Sequence, residues 1–491
     1  MRRLRQPLTD ATDLDQVMND KVPDNVLLEI FDFYRADTII SIHDSMVFTW
    51  RWETLIQVCR RWRCVIFGSP RRLDLRVVCT DTTPARTSLD IWPPFPIGIT
   101  CRYRPYRELD EKSVENLVAA VEHGRDRISH ISIEGIDGSA IEKLAAAMQQ
   151  PLPTLKRFRL RSYGERRSYG ERVPYLPETF LGGSAPLVEY FELSGIPFLT
   201  LPEFILSFTH VRYLHISKIQ NISPNTMAAC LAALPNLDRL YIAFRSGPRQ
   251  VTPPRTRIVL PALTTLFFSG ISYYFEDFVA QIDTPLLNKL DVSFHMDDVT
   301  SFMDLMDLIL DIPQFRHFIG RAERLEPLGQ AVVEFHDRAA WVSDSDGLGF
   351  PYRFRFKVQG NGQDSMGQIF RQQLPFLSHI EQLVIVIAQG RPSPSNLEWL
   401  DDSDVHSLWL EFFHPFIALQ RLYLSEELVA PIAAALEELT EGRSLEELPA
   451  LCSLFLEGLE RSGPVPEGIE LFVGARQLSG HPVAVQSWNR S

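Results

Sequence analysis

The sequence predicts an α/β chain: a small α-helical module followed by an irregular repeat solenoid with a curved parallel sheet. Three observations carry that prediction. A short template, apolar-x-x-apolar-x-apolar, recurs along most of the chain. Helix signals lie between its copies, and alternating strands and helices stack as α/β units and not as a bundle. Ahead of the first copy, two short stretches place apolar residues at helical spacing.

Composition sets the outer bounds. The 491 residues exceed one small domain and suit a small module plus an elongated array. Apolar residues at 45% and charged residues at 23% are ordinary globular values. The net charge of −13 argues against nucleic-acid binding as the main task, because neutralising phosphates needs a basic face. Arg60, Arg61, Arg63, Arg71, Arg72 and Arg76 form a local basic run, which reads as a solvated face or, less often, a contact for an acidic partner. Cys59, Cys64, Cys79, Cys101, Cys230 and Cys452 show no C-x-x-C pair and no zinc spacing, so reduced thiols of a cytosolic or nuclear protein are expected. Met1 to Pro7 has charges but no apolar core behind them, unlike a signal peptide. The longest apolar run, Leu383 to Ala388, has the length of a strand. A soluble protein, cytoplasmic and/or nuclear, with a disordered tail at 1–20 is therefore expected.

The helical module spans 21–70. Pro23 suits a first helical position, where its missing N–H costs nothing, and Asp24 favours the positive end of the helix dipole. Val26, Leu27, Ile30, Phe31 and Tyr34 share one side. Leu55, Val58, Cys59 and Trp62 share a side of the second helix, with Arg60, Arg61 and Arg63 elsewhere. So small a piece must pack on the rest of the chain or on a partner. By spacing alone it also fits an ordinary helical hairpin with Trp62 in its core. The helix-opening Pro23, the Ile30-Phe31 pair and the run Val58-Cys59-Arg60-Arg61-Trp62 resemble an F-box. The resemblance implies docking to an Skp1-like adaptor and through it to a cullin ubiquitin ligase. It also implies Pro23, Leu27, Ile30, Phe31, Val58, Cys59 and Trp62 as the Skp1-binding residues. Ala36 to Trp52 is longer than the family usually allows, so an extended or looped middle helix is expected there.

The repeat body is assigned to 71–480, with a short tail at 481–491. Copies of the template begin at Ile128, Leu155, Val188, Val211, Leu237, Leu263 and Leu287, at intervals of 27, 33, 23, 26, 26 and 24 residues. Later copies begin at Ile380, Leu419 and Leu451. This spacing and template resemble leucine-rich repeats, in which each copy supplies a short strand to a shared parallel sheet. Ser113 opens a helical run through Val114, Leu117, Val118 and Val121. Ser139 with Glu142 reads as a capping box ahead of Leu144 and Met148. Ser223-Pro224 starts a run through Met227, Cys230 and Leu231, and Asp297–Leu310 and Ser425–Leu439 are longer amphipathic stretches. Where leucine-rich repeats carry Asn or Cys, this chain has Ile196, Ile219 and Ile271, so packing and not an asparagine ladder is expected to close the turns. With Ser69–Leu75, Leu89–Pro94 and Phe472–Val485, these degenerate copies resemble the expanded F-box family of mushroom-forming fungi.

Two interruptions read as exposed loops: the duplicated RSYGER of 161–166 and 167–172, and the Pro- and Arg-rich Gly247–Thr256. The template fails from Phe315 to Gly360, although Ala331–Phe335 and Tyr352–Val358 still read as strands.

No nucleotide-binding, nucleophile-elbow or zinc-protease motif is present. Asp344-Ser345-Asp346-Gly347 reads as a polar turn. Asp401, Asp402, Asp404 and His406, and likewise His295 with Asp297 and Asp298, read as acidic helix starts. Hence no catalytic residue, metal or cofactor is assigned. The expectation is a non-catalytic substrate-recognition adaptor of an SCF-type (Skp1–cullin–F-box) E3 ubiquitin ligase, binding neither nucleic acid nor membrane. Its solenoid would hold a protein substrate through residues such as Arg157, Arg159, Glu189, Arg212, Tyr213, Asp238 and Arg239. Two alternatives stand beside it: a leucine-rich-repeat interaction scaffold without a ligase role, and a hydrolase or transferase in the irregular 315–360 stretch.

Overall fold

The computed structural model describes residues 22–36, 39–42, 45–48, 55, 57–69, 75–81, 84–92, 94–101, 109–162, 174–219, 222–244, 257–294, 313–322, 324–325, 329–336, 339–344, 352–359, 375–388, 404–441, 448–459 and 464–489. Two compact units divide the chain: Met1–Ile133 with Leu152–Thr154, and Glu134–Pro151 with Leu155–Ser491.

The first unit opens with α1 (Asp24–Ala36), followed by β1 (Ile39–Ile42), β2 (Ser45–Phe48) and α2 (Arg60–Phe67). Pro23 sits one residue before α1, and its carbonyl accepts from the N–H groups of Val26 and Leu27, each at 3.1 Å. Cys59 caps α2, its Sγ accepting from the Trp62 N–H at 3.4 Å. Leu27, Phe31, Val65 and Ile66 are buried against one another, flanked by Val22, Leu28, Leu55, Trp62 and Phe67. Phe31 and Trp62 meet edge to face at 4.8 Å, and Arg61 pairs with Asp24 at 2.7 Å. Four buried side chains contribute about 1.5–3 kcal/mol each, less than ordering two helices costs at about 1–2 kcal/mol per residue.

The middle segment departs from the expected helix. β1 and β2 pair antiparallel, with Ile39 opposite Phe48 and Ile42 opposite Ser45. Ile39, Ile40, Ile42, Val47 and Phe48 are β-branched or aromatic, types that fit a pleated surface better than a helix. Next come β3 (Leu75–Val78), α3 (Ala85–Ile91), β4 (Ile97–Cys101), α4 (Glu111–Gly124) and β5 (Ile128–Glu134), with β3, β4 and β5 parallel neighbours. Strand–helix alternation thus begins inside the first unit, and the boundary expected after residue 70 falls after Ile133.

The second unit continues as α5 (Gly138–Ala147), β6 (Arg157–Arg161), β7 (Tyr190–Ser194), α6 (Leu201–Ile205), β8 (Tyr213–Ser217), α7 (Pro224–Ala232), β9 (Arg239–Ala243), β10 (Ile258–Val259), β11 (Thr265–Gly270), α8 (Ser272–Val279), β12 (Ile282–Asp283) and β13 (Lys289–Phe294). Then follow α9 (Pro313–Arg321), β14 (Gln330–His336), β15 (Ala339–Ser343), β16 (Phe354–Gln359), β17 (Gln382–Ile387), α10 (Asp404–Phe413), β18 (Arg421–Leu424), α11 (Glu426–Glu438), β19 (Ser453–Glu457), α12 (Glu467–Leu478) and β20 (Ala484–Trp488). The unit's sheet runs β6-β7-β8-β9-β11-β13-β16-β15-β14-β17-β18-β19-β20. The mixed α/β repeat stack expected from the sequence is what forms.

Register follows the template. Phe158, Phe191, Leu214, Leu240, Leu266 and Leu290 stand opposite one another in successive strands, and all are fully buried. Strand residues alternate between faces, so each copy turns two or three apolar side chains toward the helices. The helix starts are capped partly as expected. Ser223 accepts from the Thr226 N–H at 3.1 Å, but Asp110 and Asp137, not Ser113 and Ser139, cap α4 and α5 by accepting from Ser113 N–H at 2.8 Å and Ala140 N–H at 2.7 Å. A carboxylate is the better cap because it also meets the helix dipole.

The exits from the strands are shared too. The residue right after β5, β7, β8 and β19 is Gly135, Gly195, Lys218 and Gly458, with φ of 78°, 74°, 53° and 74°. Of the residues expected to close their turns by packing, Ile196 is fully buried and Ile219 and Ile271 are half-buried.

The stretch where the template fails is a meander inserted in reverse. β14 pairs antiparallel with β15, and β15 with β16. β16 then lies parallel to β13, while β14 lies parallel to β17. A consecutive run of three strands thus enters the sheet last strand first, which no repeat spacing encodes. The tail expected at 481–491 is corrected as well: β20 pairs in parallel with β19 from Ser453–Ala484 to Glu457–Trp488. Residues 1–20, 163–173, 247–256 and 297–310, and with them His295, Asp401 and Asp402, lie outside the described residues.

Candidate functional site

Among the described residues, the sheet of the second unit has one face closed by helices and one open face. On β8 this alternation leaves Leu214 and Ile216 buried and Tyr213 and His215 partly exposed. Register then builds a row across strands: Arg159, Glu192, His215, Tyr241, Phe267, Asp291 and Arg355. These are the variable positions of the template, flanked on either side by the buried apolar ones.

Two carboxylates anchor the row, and both are buried. Glu192 accepts from Arg159 Nε at 2.8 Å, from the Tyr190 hydroxyl at 2.5 Å and from Arg161 Nε. Arg159 also reaches Glu134 at 2.9 Å. Burial pushes the Glu192 carboxyl up, but the His215 ring, Arg159 and Arg161 outweigh it and hold the pKa below the usual glutamate value. His215 is itself driven down to about 4 by burial, opposed by Glu192 and helped by the two arginines. At neutral pH the ring is therefore uncharged, and the arginines carry the compensation. His215 Nε2 lies 3.1 Å from Ser217 Oγ, which donates to Ser194 Oγ at 2.8 Å.

The second carboxylate, Asp291, accepts from the Tyr352 hydroxyl at 2.6 Å and from two Arg355 nitrogens at 3.0 and 2.5 Å. Between the two carboxylates runs an aromatic strip. Tyr190 stacks on Tyr213 at 4.1 Å, Tyr213 meets Tyr241 at 5.1 Å, and Tyr241 stacks on Phe267 at 5.5 Å. Rings and paired ions held by neighbouring strands give a surface that needs little ordering on binding.

The sequence-level candidates fall into two groups. Arg159 belongs to this row, and Tyr213 to the aromatic strip beside it, opposite Tyr190 and Arg239. Arg157, Glu189, Arg212, Asp238 and Arg239 stand at the strand entrances, where Arg157 lies 5.3 Å from the Tyr190 ring and Arg239 pairs with Asp238 at 3.5 Å. Glu192, His215, Asp291, Tyr352 and Arg355 were not singled out. Their signal is positional: Glu192, His215 and Asp291 each sit between the last two apolar residues of a template copy.

In the first unit, the seven residues implied by the F-box resemblance divide differently. Leu27 and Phe31 are 3% and 7% exposed, inside the two-helix cluster. Cys59 and Trp62 are half-buried as cap and cluster flank. Pro23 is exposed, while Ile30 and Val58 are 48% and 55% exposed apolar side chains. Direct surface contact is therefore open to Pro23, Ile30 and Val58, and Leu27 and Phe31 hold the helices together.

Among the described residues, no group of His, Cys, Asp and Glu could hold a metal, and no helix is long and apolar enough to cross a membrane. The Asp344 carboxylate, at the start of the stretch read as a polar turn, accepts from the N–H groups of Arg353 at 2.9 Å and Phe354 at 3.1 Å.

No family model matches the chain, and no curated protein matches it. Among solved structures it is similar to the leucine-rich repeat-containing protein LegL7 from Legionella pneumophila, at 12% identity and a TM-score of 0.25, with 83% of this chain and 98% of that chain covered. At that score the likeness adds nothing to the register described above.

Proposed function

We propose that the chain is a non-catalytic recognition protein whose open sheet face binds a protein substrate. In the finer form of this reading, α1 and α2 dock an Skp1-like adaptor, making the chain the substrate receptor of an SCF-type E3 ubiquitin ligase. Associated subunits then carry out ubiquitin transfer. The observation that carries the reading is the open face itself, lined by aromatic and charged side chains fixed across strands. Aromatic residues and arginine are the types that dominate protein interfaces. Exposed Ile30 and Val58, beside Val26 at 38% exposure, supply apolar surface for an adaptor next to a cluster too small to stand alone.

The adaptor arm is tested by co-purification with an Skp1-like protein. Wild-type chain should retain it, and Ile30→Asp with Val58→Asp should lose it with an unchanged circular dichroism spectrum. Absence of co-purification, or retention by the folded double variant, sinks the ligase reading and leaves an interaction scaffold. Proximity labelling in the source organism tests the other arm: Tyr213→Ala with Tyr241→Ala should lose the partner that the wild type captures.

A further inference from the structure

Among the described residues, the open face holds more positive charge at one place than its carboxylates balance. Around β13, β15 and β16, cations and rings alternate. Lys289 Nζ lies 4.2 Å from the centre of the Tyr352 ring. The Arg355 guanidinium lies 4.1 Å from that ring and 5.7 Å from Trp341. Lys357 Nζ lies 5.0 Å from Trp341, which stacks on His336 at 4.2 Å. The negative ring faces hold these cations side by side. Asp291 is engaged by Arg355 and Tyr352, and Glu334 lies 3.7 Å from His336. Neither Lys289 nor Lys357 has a carboxylate partner among the described residues, and both are half-buried. Burial and then the Arg355 charge push the Lys357 pKa down, with Asp291 opposing.

We infer that this ladder seats an extended acidic segment of the partner protein, with two carboxylates four residues apart. The inference rests on the recognition role proposed above and names the chemistry recognised. Register supplies the spacing. Asp291 stands opposite Arg355; Lys289 lies two residues before Asp291, and Lys357 two residues after Arg355. The two lysine positions are thus about 13 Å apart along the strands and about 4.8 Å across them. In an extended peptide, side chains i and i+4 point the same way and are also about 13 Å apart. The position between them faces the neutralised Arg355–Asp291 pair and calls for no charge. A long polyanion is disfavoured by the net charge of −13, whereas two isolated carboxylates need no extended basic face.

Fluorescence anisotropy with the full chain and a labelled twelve-residue peptide, Glu at positions 4 and 8 in a Ser/Thr/Val background, tests this. The Glu peptide should bind, less tightly as salt rises, and its Gln analogue should bind at least tenfold more weakly. Lys289→Gln and Lys357→Gln should each weaken binding roughly two- to fivefold, and the double variant by about the product. Equal affinity for the Gln peptide, no binding of the Glu peptide, or undiminished binding by a normally folded double variant overturns the inference. Partner capture separates this failure from that of the wider reading. If the double lysine variant captures the partner and the Tyr213→Ala/Tyr241→Ala variant does not, the recognition role stands without the ladder. If neither variant changes capture, both fall.

Discussion

Gly195→Ala probes the device by which a repeat leaves its strand. Gly195 has φ of 74°, a conformation that costs alanine about 1–2 kcal/mol. A Cβ there would lie 2.4 Å from the Ser162 carbonyl oxygen, a backbone atom that cannot rotate away. Relieving the contact means separating the ends of β6 and β7. That strains two hydrogen bonds of 2.9 Å, Gly195 N–H to Ser217 O and Ser162 N–H to Ser194 O, each contributing about 0.5–1.5 kcal/mol. The expected loss is about 2–5 kcal/mol. Lys218 occupies the equivalent exit at φ 53°, so left-handedness alone is tolerated and the Ser162 contact decides the outcome. Gly474→Ala is the control: Gly474 lies within α12 with no atom within 4 Å of an added Cβ. There alanine should stabilise by about 0.5–1 kcal/mol. Urea unfolding followed by far-ultraviolet circular dichroism and tryptophan fluorescence should move the two midpoints in opposite directions. A Gly195→Ala midpoint within about 0.5 kcal/mol of wild type would refute the reasoning.

Two further outcomes follow from buried titratable groups. His215 is held near pKa 4 in the folded chain, against about 6.5 when unfolded. The unfolded chain therefore binds this proton first. The stabilisation is complete above about pH 6.5 and is lost as pH falls toward 4, by up to about 3 kcal/mol. Glu192, also held low, loses its stabilisation only below the ordinary glutamate range, so the slope between pH 6.5 and 4.5 belongs to His215. His215→Phe should flatten urea midpoints over that window, and an unchanged slope would contradict the assignment. Burial pushes the Cys79 and Cys101 thiols up to about 12, with the neighbouring Cys101 and Asp110 charges adding to the respective shifts. Exposed Cys64 and Cys452 should therefore alkylate with iodoacetamide at pH 8 in native protein, while Cys79 and Cys101 react only after denaturation. Mass spectrometry of the labelled peptides reads this directly.

What the sequence revealed, and what it hid, follows from the range of the interactions. Leu214, Leu240 and Leu266 were legible because burial between sheet and helices leaves a period that no other arrangement needs. Ser223 was legible as a cap because capping is local. Ser113 and Ser139 misled because a carboxylate stood three and two residues upstream and made the better cap. The hairpin at 39–48 was hidden by the expectation of a middle helix, although its Ile-Ile-Ser-Ile and Met-Val-Phe runs favour strands. Reversed entry of β14, β15 and β16 depends on partners up to 64 residues away, as in the Arg355–Asp291 pair, and local pattern holds no record of it. The same applies to the open face. Glu192 looks like any exposed strand glutamate until Arg159, 33 residues earlier, is placed beside it.

The open face can therefore be divided by whether a charge is already answered within the fold. Glu192 and Asp291 are each held by a tyrosine hydroxyl and by arginine from the neighbouring strand, Arg159 and Arg161 for the first and Arg355 for the second. Removing one partner from such a buried set leaves an uncompensated charge, at a cost of about 3–5 kcal/mol. A ligand that competed for Arg159 or Arg355 would have to offset that same cost before gaining affinity. These groups therefore act as supports for the neighbouring rings and not as the primary contacts. Lys289 and Lys357 carry no such obligation among the described residues, so a carboxylate arriving there gains attraction without breaking a pair. Specificity on this face should accordingly follow the unpaired lysines and the aromatic strip of Tyr213 and Tyr241, while substitutions at Glu192 or Asp291 act first on stability.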